Sequence, residues 1–146
     1  MFKKMYSVFV ADDDPDEDVL WEEAVALHGQ NRVHFRFFPD GHNLIQYLEH
    51  HPEDVPSLVI TDVNMPVSSG YVVLHFLKSN PEFKSIPVIV ITGLEGIAVK
   101  DIDAVIAMGA ASFEHKPTSF DEYIRLLDSV IFLCETLDSS KNRKSE

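Results

Sequence analysis

Basic residues are scarce in this sequence. Its 146 residues hold 12 Lys and Arg against 24 Asp and Glu, a formal net charge of −12. Nucleic-acid binding needs a basic footprint, so that class of partner is excluded. Cysteine is scarcer still. Cys134 is the only one, which rules out an intrachain disulfide and a cysteine-based zinc site. None of the 7 histidines pairs at i, i+4 spacing, so a histidine zinc site lacks support as well. No apolar run reaches the roughly 18 residues of a membrane span. The opening Met1-Phe2-Lys3-Lys4-Met5-Tyr6 meets acidic residues before a signal-peptide core develops. A soluble, cytoplasmic chain without a membrane partner is expected.

What is present is an ordinary globular composition, 45% hydrophobic and 25% charged, with room for one domain. Read in order, Tyr6 to Ala11 is a β-rich run ending at Asp12-Asp13-Asp14. Asp14-Pro15-Asp16-Glu17 then opens a helix, with Asp14 as N-cap, Pro15 at the first helical position and Glu17 closing a capping box. That helix is expected to stop near His28-Gly29. Arg32 to Phe38 alternates as a strand, with Val33, Phe35 and Phe37 on one face. Asp40-Gly41 opens a helix lined by Leu44, Ile45 and Leu48. Leu58 to Ile60 is a buried strand running into Asp62. Ser68-Ser69-Gly70 leads to a helix with Val73, Leu74 and Leu77 inside. Ile86 to Ile91, ending at Thr92-Gly93, is the fourth strand. A helix from about Gly96 to Met108, a short strand from Ala110 to Glu114 and a last helix from about Phe120 to Thr136 complete the pattern. Strands alternating with helices at these loop lengths give an α/β fold, a doubly wound five-stranded parallel sheet with helices on both faces. Residues 1–137 are read as the domain and 138–146 as a polar C-terminal tail.

The strand ends carry the chemistry. In such sheets functional groups collect beyond the carboxyl ends of the strands. Asp12-Asp13, Asp62, Thr92 and Lys116 all fall there. Asp12 and Asp13 repel each other, a cost that a cation between them removes. Carboxylates without His or Cys suit Mg²⁺ or Mn²⁺. Lysine pairs with phosphoryl oxygen, a threonine hydroxyl donates to it, and a carboxylate can attack phosphorus. The set is suited to receiving phosphate on an aspartate.

Asp12-Asp13, Asp62-Val63-Asn64-Met65-Pro66 with Gly70 following, Thr92-Gly93 and Lys116-Pro117 together resemble the signature of response-regulator receiver domains. The resemblance covers about residues 5 to 135. It implies the flavodoxin-like strand order 2-1-3-4-5 and a two-component phosphorelay in which a histidine kinase or phosphotransfer protein phosphorylates Asp62. It further implies Mg²⁺ held by Asp13, Asp62 and the backbone carbonyl of Asn64, with Asp12 acting partly through water. Lys116 then pairs with the phosphoryl group, Thr92 is the switch hydroxyl, Phe113 the switch aromatic, and Lys116-Pro117 a cis bond. Gly93 stands where the family commonly has alanine, which leaves room beside the site. Leu94, two residues after Thr92, offers no polar atom to an attacking water, so slow loss of phosphate is expected.

Two other readings stay open at this level. A haloacid-dehalogenase-like phosphatase also uses Asp, Mg²⁺, Thr and Lys, and Asp12-x-Asp14 matches its motif by count. A receiver-like module that is never phosphorylated is the other. The main expectation is a phosphoacceptor, at most slowly self-dephosphorylating, rather than an enzyme. With no output region after residue 136, its output is expected through protein contacts. Tyr123, Leu127, Val130, Cys134 and Leu137 cluster on one side of the last helix, and Phe132 falls nearly opposite, a candidate contact for a partner or a homodimer. Trp21 and Cys134 read as core, and His115 as surface.

Overall fold

The computed structural model describes residues 4–28, 32–63, 70–93 and 99–144. Five strands, β1 (Tyr6–Ala11), β2 (Val33–Phe38), β3 (Leu58–Asp62), β4 (Val88–Thr92) and β5 (Ser112–His115), alternate with five helices. These are α1 (Pro15–His28), α2 (Gly41–His50), α3 (Gly70–Ser79), α4 (Val99–Ala107) and α5 (Phe120–Lys144). All strand pairs are parallel, in the order β2-β1-β3-β4-β5. The doubly wound fold and its strand order are therefore as expected.

The sheet separates two apolar layers. Alternate residues of β1 go to opposite faces, as a pleated strand requires. Val8 and Val10 join Trp21, Tyr123, Leu127 and Cys134 under α1 and α5. Phe9 and Ala11 join Leu44, Leu48, Leu74 and Leu77 under α2 and α3. Residues of β3 and β4 are buried throughout, which explains their unbroken apolar runs. At roughly 25 cal/mol per Å² of apolar surface, these two layers supply most of the drive to fold.

Punctuation follows local chemistry. Asp40 caps α2, its Oδ1 accepting the Asn43 amide at 2.8 Å. Ser119 caps α5 by accepting the Glu122 amide at 3.2 Å. Gly109, after α4, has φ +107°, a conformation glycine adopts without strain, and the Lys78 stem lies against it. Gly29, expected to end α1, lies outside the described residues.

Three local expectations need correction. Glu17 does not close a capping box: the Asp14 amide donates to Asp12 Oδ1 at 2.9 Å, and Glu17 Oε2 accepts from the Tyr123 hydroxyl. A distant phenol outcompetes the local backbone partner. The peptide bond between Lys116 and Pro117 is trans, there being no cis bond among the described residues. The two isomers differ by only about 1 kcal/mol at proline, so Pro117 does not impose the cis form. The last helix does not end near Thr136. It continues to Lys144 because no Gly or Pro interrupts Asp138 to Lys144, and an existing helix extends cheaply. Asp138 is anchored by Lys4 at 2.9 Å.

Candidate functional site

Register brings the strand ends abreast. Ala11 pairs with Thr61, Asp62 with Ile91 and Thr92 with His115. Asp12 leaves the end of β1, Asp62 closes β3 and Thr92 closes β4. Lys116 follows β5, and its amide donates to the Thr92 carbonyl at 2.8 Å. That bond fixes where the lysine side chain starts. The Lys116 ammonium then lies 2.8 Å from Asp62 Oδ2 and 3.0 Å from Asp12 Oδ2. Asp12, Asp62 and Lys116, from three strand ends, thus meet at one point, and Thr92 closes the strand between β3 and β5.

Burial differs among them in a useful way. Asp12, Asp62 and Thr92 are 2%, 5% and 2% exposed, whereas Asp13 is exposed. Asp12, Asp13 and Asp62 each offer a carboxylate oxygen within 4.8 Å of the others. Asp12 Oδ1 accepts the Asp14 amide, but Oδ2 is buried and receives no hydrogen bond of good geometry despite the nearby ammonium. Burial raises the Asp12 carboxyl above its usual range, with the Asp14 amide and Lys116 acting against it. Burial also works against the Lys116 ammonium, yet its bonds to Asp62 and Asp12 outweigh that and raise its pKa. The donor set is all oxygen, and among the described residues Asp12 Oδ2 is buried with the Lys116 ammonium beside it but no hydrogen bond. The set fits a small divalent cation.

Two glycines of the signature, Gly70 and Gly93, lie against the cluster. Gly70, the first residue of α3, sits against the backbone of the key strand end. A Cβ there would lie 2.5 Å from the Asp62 carbonyl oxygen. Only glycine allows that approach. Gly93 was expected to leave space, and a Cβ on it would lie 3.4 Å from Cδ of Lys116, in ordinary contact with the lysine stem. Phe113 is half-buried against the α2–α3 layer. Asn64, Leu94 and the Met65-Pro66 turn lie outside the described residues. Asp14 Oδ1 accepts the Asp16 amide at 3.0 Å and so serves as the α1 cap, which removes it from any paired-aspartate motif. His115 is exposed, as expected.

Asp18 is the unexpected titrating group. Burial, then the charges of Asp12, Asp14, Glu17 and Glu22, push its carboxyl up to about 6, and its buried Oδ1 has no hydrogen-bond partner among the described residues. A carboxyl raised in the fold above its ordinary 3.8 favours folding fully only below that value. The contribution is lost as pH rises through about 6. Asp18→Asn is therefore expected to raise the melting temperature at pH 7.5, in chelator, by about 3 °C after allowance for solvent screening. The gain should vanish toward pH 4. A gain of equal size at both pH values would contradict the assignment.

Comparison with known proteins gives one consistent picture. The family described as the response regulator receiver domain matches residues 8–128. The polar-differentiation response regulator DivK of Brucella ovis is 27% identical over 126 residues, covering 86% of this chain and 95% of DivK. The chemotaxis protein CheV1 of Helicobacter pylori is 33% identical over 97 residues, covering 65% of this chain. The match spans only 29% of CheV1, so most of that protein lies beyond it. A solved response regulator in red light signalling of R. palustris superposes with TM-score 0.74 at 22% identity, over 86% of this chain and 91% of that one.

Proposed function

The chain belongs to the response regulator receiver-domain family, and on that premise we propose that it accepts a phosphoryl group on Asp62 and signals through the resulting change. Supporting this reading above all is the convergence of Lys116 on Asp62 and Asp12, at 2.8 and 3.0 Å, beside the buried Thr92. In the proposed step an Asp62 carboxylate oxygen attacks phosphorus of the donor. The bond from phosphorus to the donor atom breaks, that atom keeps the electron pair, and an acyl phosphate forms on Asp62. Lys116 moves its ion pair from the Asp62 carboxylate to the phosphoryl oxygens. The Thr92 hydroxyl donates to the same oxygens, and Phe113 responds as the switch aromatic.

Asp12, Asp13 and Asp62, with the Asn64 carbonyl, would hold Mg²⁺. A bound divalent cation neutralises charge on the phosphoryl group as it arrives. The donor is a histidine kinase or phosphotransfer protein, and the output is a downstream protein contact. We place the receiver unit at residues 1–137, with 138–146 as its polar extension, in the cytoplasm. Among the described residues no helix is long and apolar enough to cross a membrane. Phe132, 72% exposed on α5, remains available to a partner or a second copy.

Mixing the protein with Mg²⁺ and a small acyl-phosphate donor, then measuring intact mass, tests the central claim. A single phosphoryl adduct absent from Asp62→Ala is expected. The same adduct on Asp62→Ala would overturn the assignment, and rapid turnover of organic phosphates would favour a phosphatase.

Metal binding has its own expected outcome. Loss of an outer partner alone typically weakens a metal site about tenfold or more, so loss of a ligand should do at least that. Titration calorimetry with Mg²⁺ should show at least about tenfold weaker binding for Asp13→Asn and a smaller loss for Asp12→Asn. Equal affinity in wild type and Asp13→Asn would remove Asp13 from the site.

A further inference from the structure

β2 is an edge strand. Its inner edge is set by Tyr6 donating to the Arg32 carbonyl and Asp12 donating to the Phe38 carbonyl. A parallel ladder uses alternate residues, so even-numbered residues of β2 bond inward to β1 and the backbone groups of Val33, Phe35 and Phe37 face outward. Among the described residues nothing hydrogen-bonds to those outward groups. A row of unpaired amides and carbonyls is a template for another strand.

A groove flanks this edge on each face of the sheet. On the α1 face, Val19, Ala26 and Phe37 form the apolar floor of a shallow, open depression of about 460 Å³ under Asp18, Glu22 and Glu23. Val19 is 55% exposed. On the α2 face, Phe38, Asn43, Tyr47 and His50 line a second groove, also of about 460 Å³. Phe37 and Phe38 pack into opposite apolar layers, so the two grooves lie on opposite sides of one free edge. Alternate side chains of an added strand would enter them in turn. In strand addition the main chain supplies affinity and such pockets supply specificity.

Charge selects the occupant. α1 carries Asp16, Glu17, Asp18, Glu22 and Glu23 with no Lys or Arg. Among the described residues none of Asp18, Glu22 and Glu23 is in an ion pair. Asp18 Oδ1 in addition is buried and meets no donor among the described residues. A second copy meeting this edge across a two-fold axis would bring acidic rims together, which is repulsive. We propose that the free edge of β2 docks an extended segment of a partner protein by strand addition, with Lys or Arg at alternate positions lying over the Asp18–Glu22–Glu23 groove. This surface is separate from the Asp62 site and stands whether or not Asp62 is phosphorylated.

The test uses the whole chain and a short synthetic peptide with Lys at alternate positions and Val or Thr between, against the same peptide with Glu for Lys. By fluorescence anisotropy the Lys peptide should bind at least about tenfold more tightly, with affinity falling as salt rises. Amide exchange should slow on binding at Val33, Phe35 and Phe37 and stay unchanged at His34 and Arg36. The double variant Glu22→Lys, Glu23→Lys, on an exposed helix face, should lose binding of the Lys peptide by about tenfold or more. Equal binding of both peptides, unchanged affinity in the double variant, or protection elsewhere would overturn the proposal. So would peptide-free dimerisation that protects the same amides, since the edge would then belong to a second copy.

Discussion

Gly70→Val is expected to cut Mg²⁺-dependent phosphoryl labelling of Asp62 by about 100-fold. The reason is geometric. A Cβ at residue 70 would lie 2.5 Å from the Asp62 carbonyl oxygen and 3.1 Å from its carbonyl carbon. Both are backbone atoms, so relief requires moving β3 or the start of α3. Gly70 also donates its amide to the Val63 carbonyl at 3.1 Å, tying the two together. A shift of about 1 Å at a reacting group can cost about 100-fold in rate. Overpacking itself costs about 1–3 kcal/mol, so the fold should survive. Labelling rates by intact mass, with circular dichroism as a control for folding, check this. A folded Gly70→Val chain labelled at the wild-type rate would show that Asp62 tolerates the displacement.

Lys116→Met should destabilise the chain by about 3 kcal/mol in chelator, lowering the melting temperature by roughly 10 °C. Its ammonium is the cation beside two nearly inaccessible carboxylates, and methionine keeps much of the stem volume while removing the charge. Asp12 and Asp62 would then lose that cation, and burial already disfavours the charged form of Asp12. Mg²⁺ should rescue the variant by more degrees than it adds to wild type, because it replaces a missing cation rather than joining one. Thermal melts with chelator and with excess Mg²⁺ give both numbers. Equal Mg²⁺ shifts in the two proteins would mean that Lys116 does not share its carboxylates with the metal. The wild-type ion pair should hold across the neutral range. A lysine raised above its ordinary 10.5 contributes fully below that value, and the contribution fades only as pH climbs through the raised one.

Most of the sheet could be read from residue order because a parallel strand buried on both faces must be apolar along its length. Leu58 to Ile60 and Val88 to Ile91 show this directly, and each run gives way to polar residues only at the carboxyl end of its strand. The cluster was legible for the same reason, since four strand ends on one edge need no knowledge of loops. Contacts between distant segments were not. Glu17 looked like a local capping partner, and only packing of α5 on α1 reveals the Tyr123 hydroxyl as its competitor. Gly70 stands in the signature, but why it must be glycine shows only in its 2.5 Å approach to the Asp62 carbonyl. The polar composition after Thr136 suggests an end to α5 that the backbone does not make. A helix ends where its backbone is interrupted, and Asp138 to Lys144 contains nothing that does so. The grooves beside β2 depend on how α1 and α2 overhang the edge, which no periodicity encodes.

Trp21 gives the chain a built-in optical gauge. It is the only indole in the sequence and is wholly buried, with its ring 5.0 Å from Tyr123 and 5.3 Å from Phe35. Among the described residues its N–H has no acceptor, so its emission should be strongly blue-shifted. Tyr123 is held through its hydroxyl by Glu17, in the first turn after the acidic loop. Any event that lifts α5 from α1 lets water reach the indole and moves the emission to the red. Unlabelled protein can therefore report that separation in real time, through one transition with no competing fluorophore of its kind.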